Sequence, residues 1–323
     1  MTFSYNARTE ASKLNITNEC CNLAELSAII KTSAVFSLEN GKFAIVINTE
    51  LPDLYEKVNG ILEKLYGFSV EMEISDDENM LHKIRYEIKI SVEHSTQVLR
   101  DCGIIFLNEL GQIEFKDGVD KYVASDECCK KAYIRGVFIG ASTNNIVITG
   151  IGNNVKRNQS GYHLEFVFMS ENMADEFSHL LAEFEINSKK TERKNNFVVY
   201  IKEGDVISDL FALMGLSKSV FKLQNEIALR SLRNVINRQN NCVTGNISKT
   251  VNASIKQITA INIIQEAAGL ESLTVNLQEA AMLRLANPEE SLERLVLLSS
   301  KPITKSGLMH RFRKILSIAN NLK

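Results

Sequence analysis

The chain has 323 residues, 45% of them hydrophobic and 24% charged, which is room for two or three globular domains and excludes a disordered or collagen-like chain. No apolar run reaches the roughly 18–20 residues that cross a bilayer. The opening MTFSYNARTE lacks the apolar stretch of a signal peptide, so the expectation is a cytoplasmic chain without a membrane, its six cysteines reduced. The formal net charge of −2 argues against a nucleic-acid partner only as an average, because the charge is unevenly placed.

The first two-thirds reads as a duplication, with halves at about 1–108 and 109–216. Cys20-Cys21-Asn22-Leu23-Ala24 returns as Cys128-Cys129-Lys130-Lys131-Ala132, 108 residues later. A small-residue helical stretch follows each copy, and then an alternating strand: Phe43, Ile45 and Ile47 in the first half, and Tyr162, Leu164, Phe166 and Phe168 in the second. Helices are predicted near 52–66 and 171–184. Weaker strands are predicted near 68–74 and 186–190, and stronger ones at Ile84–Val92 and Phe197–Ile201. Short helices near 94–102 and 204–213 close the halves. Each half therefore reads α-β-β-α-β-β-α, and the class is α+β.

That order, with a helix pair at a pseudo-twofold axis, resembles the LAGLIDADG homing-endonuclease fold. Ser27, Ala28, Gly136 and Gly140 are small enough to let the two helices approach closely. Laying the nine-residue motif on Leu26–Ala34 and Ile134–Ser142 puts Ser33 and Ala141 where the nuclease carries metal-binding acids. Cleavage needs carboxylates there, because hard divalent cations take oxygen ligands. The resemblance therefore implies a nuclease-like domain without its catalytic acids. The strand surface that would face DNA is mixed in sign (Arg85, Glu87, Lys89, His163, Glu165), which favours partner binding or an architectural role over phosphate binding.

Other motifs in this part carry less. The two Cys-Cys pairs lack C-x₂₋₄-C spacing, and neighbouring side chains on a helix point about 100° apart, so buried structural cysteines are expected and no metal. Gly150-Ile151-Gly152 has Val155 where a dinucleotide loop needs its third glycine, which reads as a surface hairpin or loop. His163-Leu164-Glu165 mimics a zinc-deaminase element, but no P-C-x-x-C follows, leaving a polar strand face. No nucleophile–base–orienter set is present, so neither an enzyme nor a cofactor is expected.

The last third reverses the charge. Residues 220–323 hold 14 Lys+Arg and 7 Asp+Glu, a balance of +7, which leaves 23 basic and 32 acidic residues, −9, for residues 1–219. Residues 227–265 contain no acid. Residues 217–270 read as a helical linker with a polar break around Arg238–Thr244 and a stop at Gly269. Leu229, Leu232, Val235 and Ile236 recur at helical spacing, as do Ile255, Ile258, Ile261 and Ile264. Arg233, Arg238, Lys249 and Lys256 are candidate phosphate contacts here. An equally good reading is a helix that merely lacks acids.

Residues 271–323 are sharper. A helix is predicted near Leu277–Leu285, then one capped by Asn287 and opening on Pro288-Glu289-Glu290. The turn Ser299–Ile303 leads to Thr304, an N-cap for the last helix. Leu308, Phe312, Ile315, Leu316 and Ala319 form its apolar face, opposite Lys305, Ser306, Met309, His310, Arg311, Arg313 and Lys314. Short helix, turn and basic helix make a helix-turn-helix, whose second helix enters the major groove of double-stranded DNA. The candidate DNA-binding residues are Thr304, Lys305, Ser306, Met309, His310, Arg311, Arg313 and Lys314.

In this order the pieces resemble one bacterial family, the WhiA sporulation and cell-division regulators. The resemblance is carried by Cys20-Cys21-x-x-Ala24-Glu25-Leu26, Cys128-Cys129-x-x-Ala132-x-Ile134-Arg135-Gly136 and Tyr162-His163-Leu164-Glu165. It continues in Tyr200-x-Lys202-Glu203-Gly204, Arg233-Asn234-x-x-Asn237-Arg238, Asn241-Cys242, Asn246-x-x-Lys249-Thr250 and Lys305-Ser306-Gly307-x-x-His310-Arg311. It implies a degenerate LAGLIDADG-like domain joined to a helix-turn-helix. The implied function is a nucleoid-associated DNA-binding transcriptional regulator with a role in cell division, chromosome segregation and sporulation. Two alternatives remain: a scaffold for transcription or cell-division proteins with secondary DNA binding, and an active metal-dependent homing-type nuclease. Two departures from the family pattern stand out. Residues 143–161 are longer than the usual connection, and Gly245 stands where alanine is expected, a loss of up to about 1 kcal/mol in a helix.

Overall fold

A computed structural model describes residues 2–39, 42–76, 84–142 and 161–322. The chain separates into two units, Met1–Leu229 and Arg230–Lys323.

The first unit opens with a helix that the charge and motif patterns do not reveal, α1 (Phe3–Lys13). Phe3, Ala7 and Ala11 recur every four residues and are buried, and the Thr2 hydroxyl caps the start by accepting from the Tyr5 amide. The first repeat then runs α2 (Glu19–Ser33), β1 (Ala34–Glu39), β2 (Lys42–Thr49), α3 (Asp53–Tyr66), β3 (Glu71–Asp76), β4 (Ile84–Ile90) and α4 (Val92–Asp101). This is the expected α-β-β-α-β-β-α. The weak strand of the first half forms a few residues later than predicted. Gly67, at φ +72°, ends α3 in the left-handed conformation that only glycine adopts without strain. A hairpin of β5 (Ile105–Leu107) and β6 (Ile113–Phe115) was not anticipated; its Phe115 ring packs against Phe36 and Phe43.

The second repeat begins at α5 (Glu127–Ala141), 108 residues after α2 and of equal length. It continues through β7 (Leu164–Phe168), α6 (Glu171–Ala182), β8 (Lys189–Arg193), β9 (Asn196–Ile201) and α7 (Gly204–Leu213). The first strand expected for this half and the Gly150–Val155 motif fall outside the described residues. The four-stranded antiparallel sheet has the order β1-β2-β4-β3, and its counterpart is β7-β9-β8. Ile45 pairs with Ile90 and Ile47 with Ile88, and all four are buried against the helices. The intervening pairs Val46–Lys89 and Asn48–Glu87 occupy the other face, as the alternation requires.

Close contact of α2 with α5 joins the halves. A Cβ on Gly136 would lie 2.5 Å from the Glu25 carbonyl oxygen and 2.7 Å from the Ala28 Cβ, and one on Gly140 would collide with the Thr32 side chain. Glycine is therefore required at Gly136, which faces backbone, while a side chain at Gly140 would force Thr32 to turn away. A charge cluster centred on fully buried Glu25 sits at the same crossing. The Glu25 carboxylate accepts from Arg135 Nε of α5 at 2.8 Å and lies 3.1 Å from Lys57 Nζ of α3. Lys57 also donates to the Leu14 carbonyl at 2.9 Å, and Arg135 to the Met214 carbonyl at 3.2 Å. Burial pulls the Lys57 pKa below its ordinary value, and the Glu25 charge opposes that shift.

The expected break near Arg238–Thr244 is absent: α8 runs unbroken from Ser217 to Ala268. Gly245 lies within it, and a Cβ there would meet nothing within 4 Å. The polar run forms helix because asparagine and threonine weaken a helix by tenths of a kcal/mol each, roughly 0.7 at most, without terminating it. Leu232, Val235, Ile236, Val243 and Ile247 are exposed, so helical spacing does not by itself bury a face here. Gly269, at φ +75°, follows the end of α8 as expected.

The second unit continues with α9 (Val275–Ala286), α10 (Leu292–Leu298) and α11 (Lys305–Asn321). Their core holds Leu277, Ala280, Ala281, Leu295, Leu308, Phe312 and Ile315, together with Ala260, Ile261 and Ile264 of α8. The last turns of α8 are thus part of this unit's core. Asn287 does not cap α10; it terminates α9, and Ser291 caps α10 by accepting from the Arg294 amide. Pro288–Glu290 forms the intervening turn, which Arg284 holds in place. Arg284 is only 1% exposed. It donates to Gln257 Oε1 at 2.9 Å and to the carbonyls of Glu290 at 2.7 Å and Asn287 at 3.3 Å, and it lies 5.4 Å from the Phe312 ring centroid. A single forked cation thereby ties α8, the turn and α11 together.

Two stability predictions follow from these buried ions. Glu25→Gln leaves Lys57 and Arg135 buried without a counter-charge and is expected to destabilise the first unit by about 3–5 kcal/mol in urea unfolding. Arg284→Ala strands three oxygen acceptors and opens a cavity, with an expected loss of about 2–4 kcal/mol in the second unit that Arg284→Lys does not restore. An unchanged unfolding midpoint in either variant would contradict the corresponding role.

Candidate nucleic-acid interface

The interface is built on α11. Ser299 ends α10, and its hydroxyl donates to the Lys301 carbonyl within the turn at 2.9 Å. Half-buried Ile303 anchors the exit of the turn. Thr304 then starts α11 as read from the sequence, its hydroxyl oxygen accepting from the Gly307 amide at 3.1 Å. Leu308, Phe312, Ile315 and Ala319 are buried, which turns the opposite side of α11 outward. Ser306, Met309, His310 and Arg313 recur at intervals of three or four and form one exposed stripe, with exposed Lys314 at its side. No acid occurs on this helix.

Two candidates differ from the expectation of a free basic side chain. Arg311 is half-buried and turns back to α9, donating to the Asn276 carbonyl at 3.2 Å and lying 3.7 Å from Glu279. Its place on the helix, next to Phe312 and three residues after Leu308, aims it at the α9 flank. Lys305 pairs with Glu293 of α10 at 2.5 Å. The Arg313 guanidinium lies 3.9 Å from the Met309 sulfur, one turn earlier, so those two side chains form part of a single surface.

On α8, Arg238, Lys249 and Lys256 are exposed and Arg233 is half-buried. Intervals of 11 and 7 residues put the first three on one side of the helix over about 27 Å, with Arg233 turned about 140° away. Lys249 and Lys305 line one cavity of about 660 Å³ in company with Glu289, Glu290 and Glu293, so its field is mixed.

In the first unit, Ser33 and Ala141 end α2 and α5 and line a cavity of about 290 Å³. The Ser33 hydroxyl donates to the Ile29 carbonyl at 2.6 Å. Among the described residues the cavity also holds Arg8, Arg85 and one carboxylate, Glu50. Burial lowers the pKa of Arg8, and the Glu50 charge opposes that. Arg8 went unnoticed in the sequence because α1 itself was not recognised, and Glu50 because no local pattern marks the residue that follows β2. The strand face of mixed sign also pairs its charges internally. Glu165 is buried, accepts from Arg193 at 2.8 Å and lies 2.5 Å from His163 Nε2, while Lys89 pairs with Glu73 at 2.6 Å. Among the described residues, no helix is long and apolar enough to cross a membrane.

Comparison with known proteins converges on these same segments. Residues 19–105 match the WhiA N-terminal LAGLIDADG-like domain, 130–233 the WhiA LAGLIDADG-like domain, and 236–319 the WhiA C-terminal HTH domain. The chain is 35% identical to the probable cell division protein WhiA of Clostridium botulinum, over all of this chain and 99% of that protein. It is 36% identical to the protein of the same name from Clostridium beijerinckii, with the same coverage. The crystal structure of full-length DUF199/WhiA from Thermotoga maritima superimposes with a TM-score of 0.56 at 21% identity, covering 99% of both chains, and so shares the fold. With two LAGLIDADG-like repeats followed by a helix-turn-helix, the chain belongs to the WhiA family.

Proposed function

We propose that this chain is a DNA-binding transcriptional regulator acting in cell division and chromosome segregation, and in sporulation where the host sporulates. The observation that carries the reading is the outward stripe of α11, with Ser306, Met309, His310 and Arg313 exposed on a helix without acids. In a helix-turn-helix this surface enters the major groove, where short polar side chains meet base edges and cations meet phosphate. Arg313 and Lys314 supply the phosphate contacts, and Arg238, Lys249 and Lys256 extend the basic surface along α8. Arg311 and Thr304 act mainly by holding α11 in place, and Lys305 lies at the edge of the groove. The relatives' description as probable cell division proteins supports the process, and DNA binding makes the protein nucleoid-associated.

The first unit acts as a non-catalytic platform. Ser33 and Ala141 supply no carboxylate to a divalent ion, and Arg8 and Arg85 line the cavity that such an ion would enter. One observation favours protein partners of the transcription or division machinery here. Phe106, Leu107, Leu110 and Ile113 of the β5–β6 hairpin are exposed, Leu110 at 82%. Loss of a co-purifying partner from full-length Leu110→Glu would support that role.

Arg313→Glu and Lys314→Glu are each expected to weaken DNA binding at least tenfold at one fixed salt concentration, and Arg313→Ala to reduce the salt slope by about one. Equal affinity of variant and wild-type protein would refute the assignment of α11. Incubation of plasmid with the full chain and Mg²⁺ or Mn²⁺ is expected to leave it uncut; cleavage abolished by Glu50→Gln would restore a nuclease.

A further inference from the structure

The two Cys-Cys pairs are far apart in sequence and fail the usual metal-site spacing individually. The tertiary structure brings them together. Cys20 and Cys21 lie in the first turn of α2, Cys128 and Cys129 in the first turn of α5, and the four sulfurs all fall within 4.8 Å of one another. Within each pair the sulfurs are 4.0 Å apart. Cys21 and Cys129 are buried, as expected of structural cysteines, but Cys20 and Cys128 are exposed and leave the cluster open to solvent.

We propose that Cys20, Cys21, Cys128 and Cys129 form a tetrathiolate site for a single zinc ion, which staples the two repeats together at the amino ends of α2 and α5. The dimensions favour one ion. Zinc–sulfur bonds of about 2.3 Å put the four sulfurs of a tetrahedral site about 3.8 Å apart, so the observed cluster needs to contract by about 1 Å at most. An iron–sulfur cluster spreads its four ligand sulfurs over a larger body. Soft thiolates in a tetrahedral set select zinc over the hard divalent cations of nuclease chemistry.

The electrostatics agree with this geometry. Four thiolates around Zn²⁺ carry a net charge of −2, and here that charge meets the amide-rich, positive ends of two helices. Binding releases the thiol protons to solvent as the Zn–S bonds form, with no change of oxidation state. The remaining cysteines, buried Cys102 and exposed Cys242, serve as internal controls.

The test uses the full chain, purified under reducing conditions without chelator. Expected results are one zinc per chain and, after exchange with Co²⁺, the intense thiolate-to-cobalt absorption and visible bands of a tetrahedral sulfur site. Zinc should protect Cys20 and Cys128 from alkylation while Cys242 still reacts. Combined Cys20→Ser and Cys128→Ser substitution, at exposed positions that leave the core intact, should weaken metal binding more than a hundredfold with unchanged circular dichroism. Cys242→Ser should bind as wild type does. The assignment is overturned if the reduced protein takes up neither zinc nor cobalt, or if zinc leaves the alkylation of Cys20 and Cys128 unchanged. Isolation with disulfides among these four residues, or with iron and inorganic sulfide, would equally overturn it.

Discussion

The first unit depends on how closely α2 and α5 approach. Two helices come this near only where side chains are nearly absent, and Gly136, facing the Glu25 carbonyl and Ala28, meets that condition. The approach also creates a demand. It seals Glu25 from water, and a buried carboxylate is tolerated only when cations and hydrogen bonds replace its hydration. Arg135 supplies one cation from the other repeat and Lys57 supplies the second from α3. The Leu14 and Met214 carbonyls accept further hydrogen bonds from these two cations, so both flanks of the unit are tied to the same crossing. Once the helices are in contact, their first turns bring four cysteines together and their last turns set Ser33 and Ala141 at one cavity.

The second unit solves a similar problem with one cation and no carboxylate. Arg284 is surrounded by neutral oxygens from α8 and the turn before α10, and it lies over Phe312. Because Phe312 is part of the buried face of α11, the interaction that closes the core also fixes which side of α11 turns outward. The charge asymmetry of the chain acquires a location in this way. A near-neutral protein carries −9 over residues 1–219 and +7 over the rest, and the acid-free helix concentrates part of that positive charge on one exposed stripe.

Much of the architecture was legible because its signals are local. The 108-residue offset, the alternation in β2, β4 and β7, and the Thr304 cap each report a backbone state within a few residues. The misreadings have local causes too. The run Arg238–Thr244 looked like a break, yet polar residues only weaken a helix, and α8 passes through them. Asn287 looked like a cap for α10 because proline and acids follow it, but Arg284 holds those residues as a turn and Ser291 does the capping. The helix α1 was overlooked because its apolar positions, Phe3, Ala7 and Ala11, are few and two of them are only alanine.

By itself the sequence determined the duplicated α+β unit, the helix-turn-helix, and the separation of an acidic first two-thirds from a basic last third, since periodicity, capping and charge are properties of neighbouring residues. Only the tertiary structure decided what each polar side chain faces. It turned Arg311 back to α9, paired Glu165 with Arg193, buried Arg284 among carbonyls, and gathered two cysteine pairs 108 residues apart. Spacing along one helix specifies a direction but not the element that lies in that direction. For the cysteines, close packing of α2 on α5 at Gly136 and Ala28 supplied that missing information.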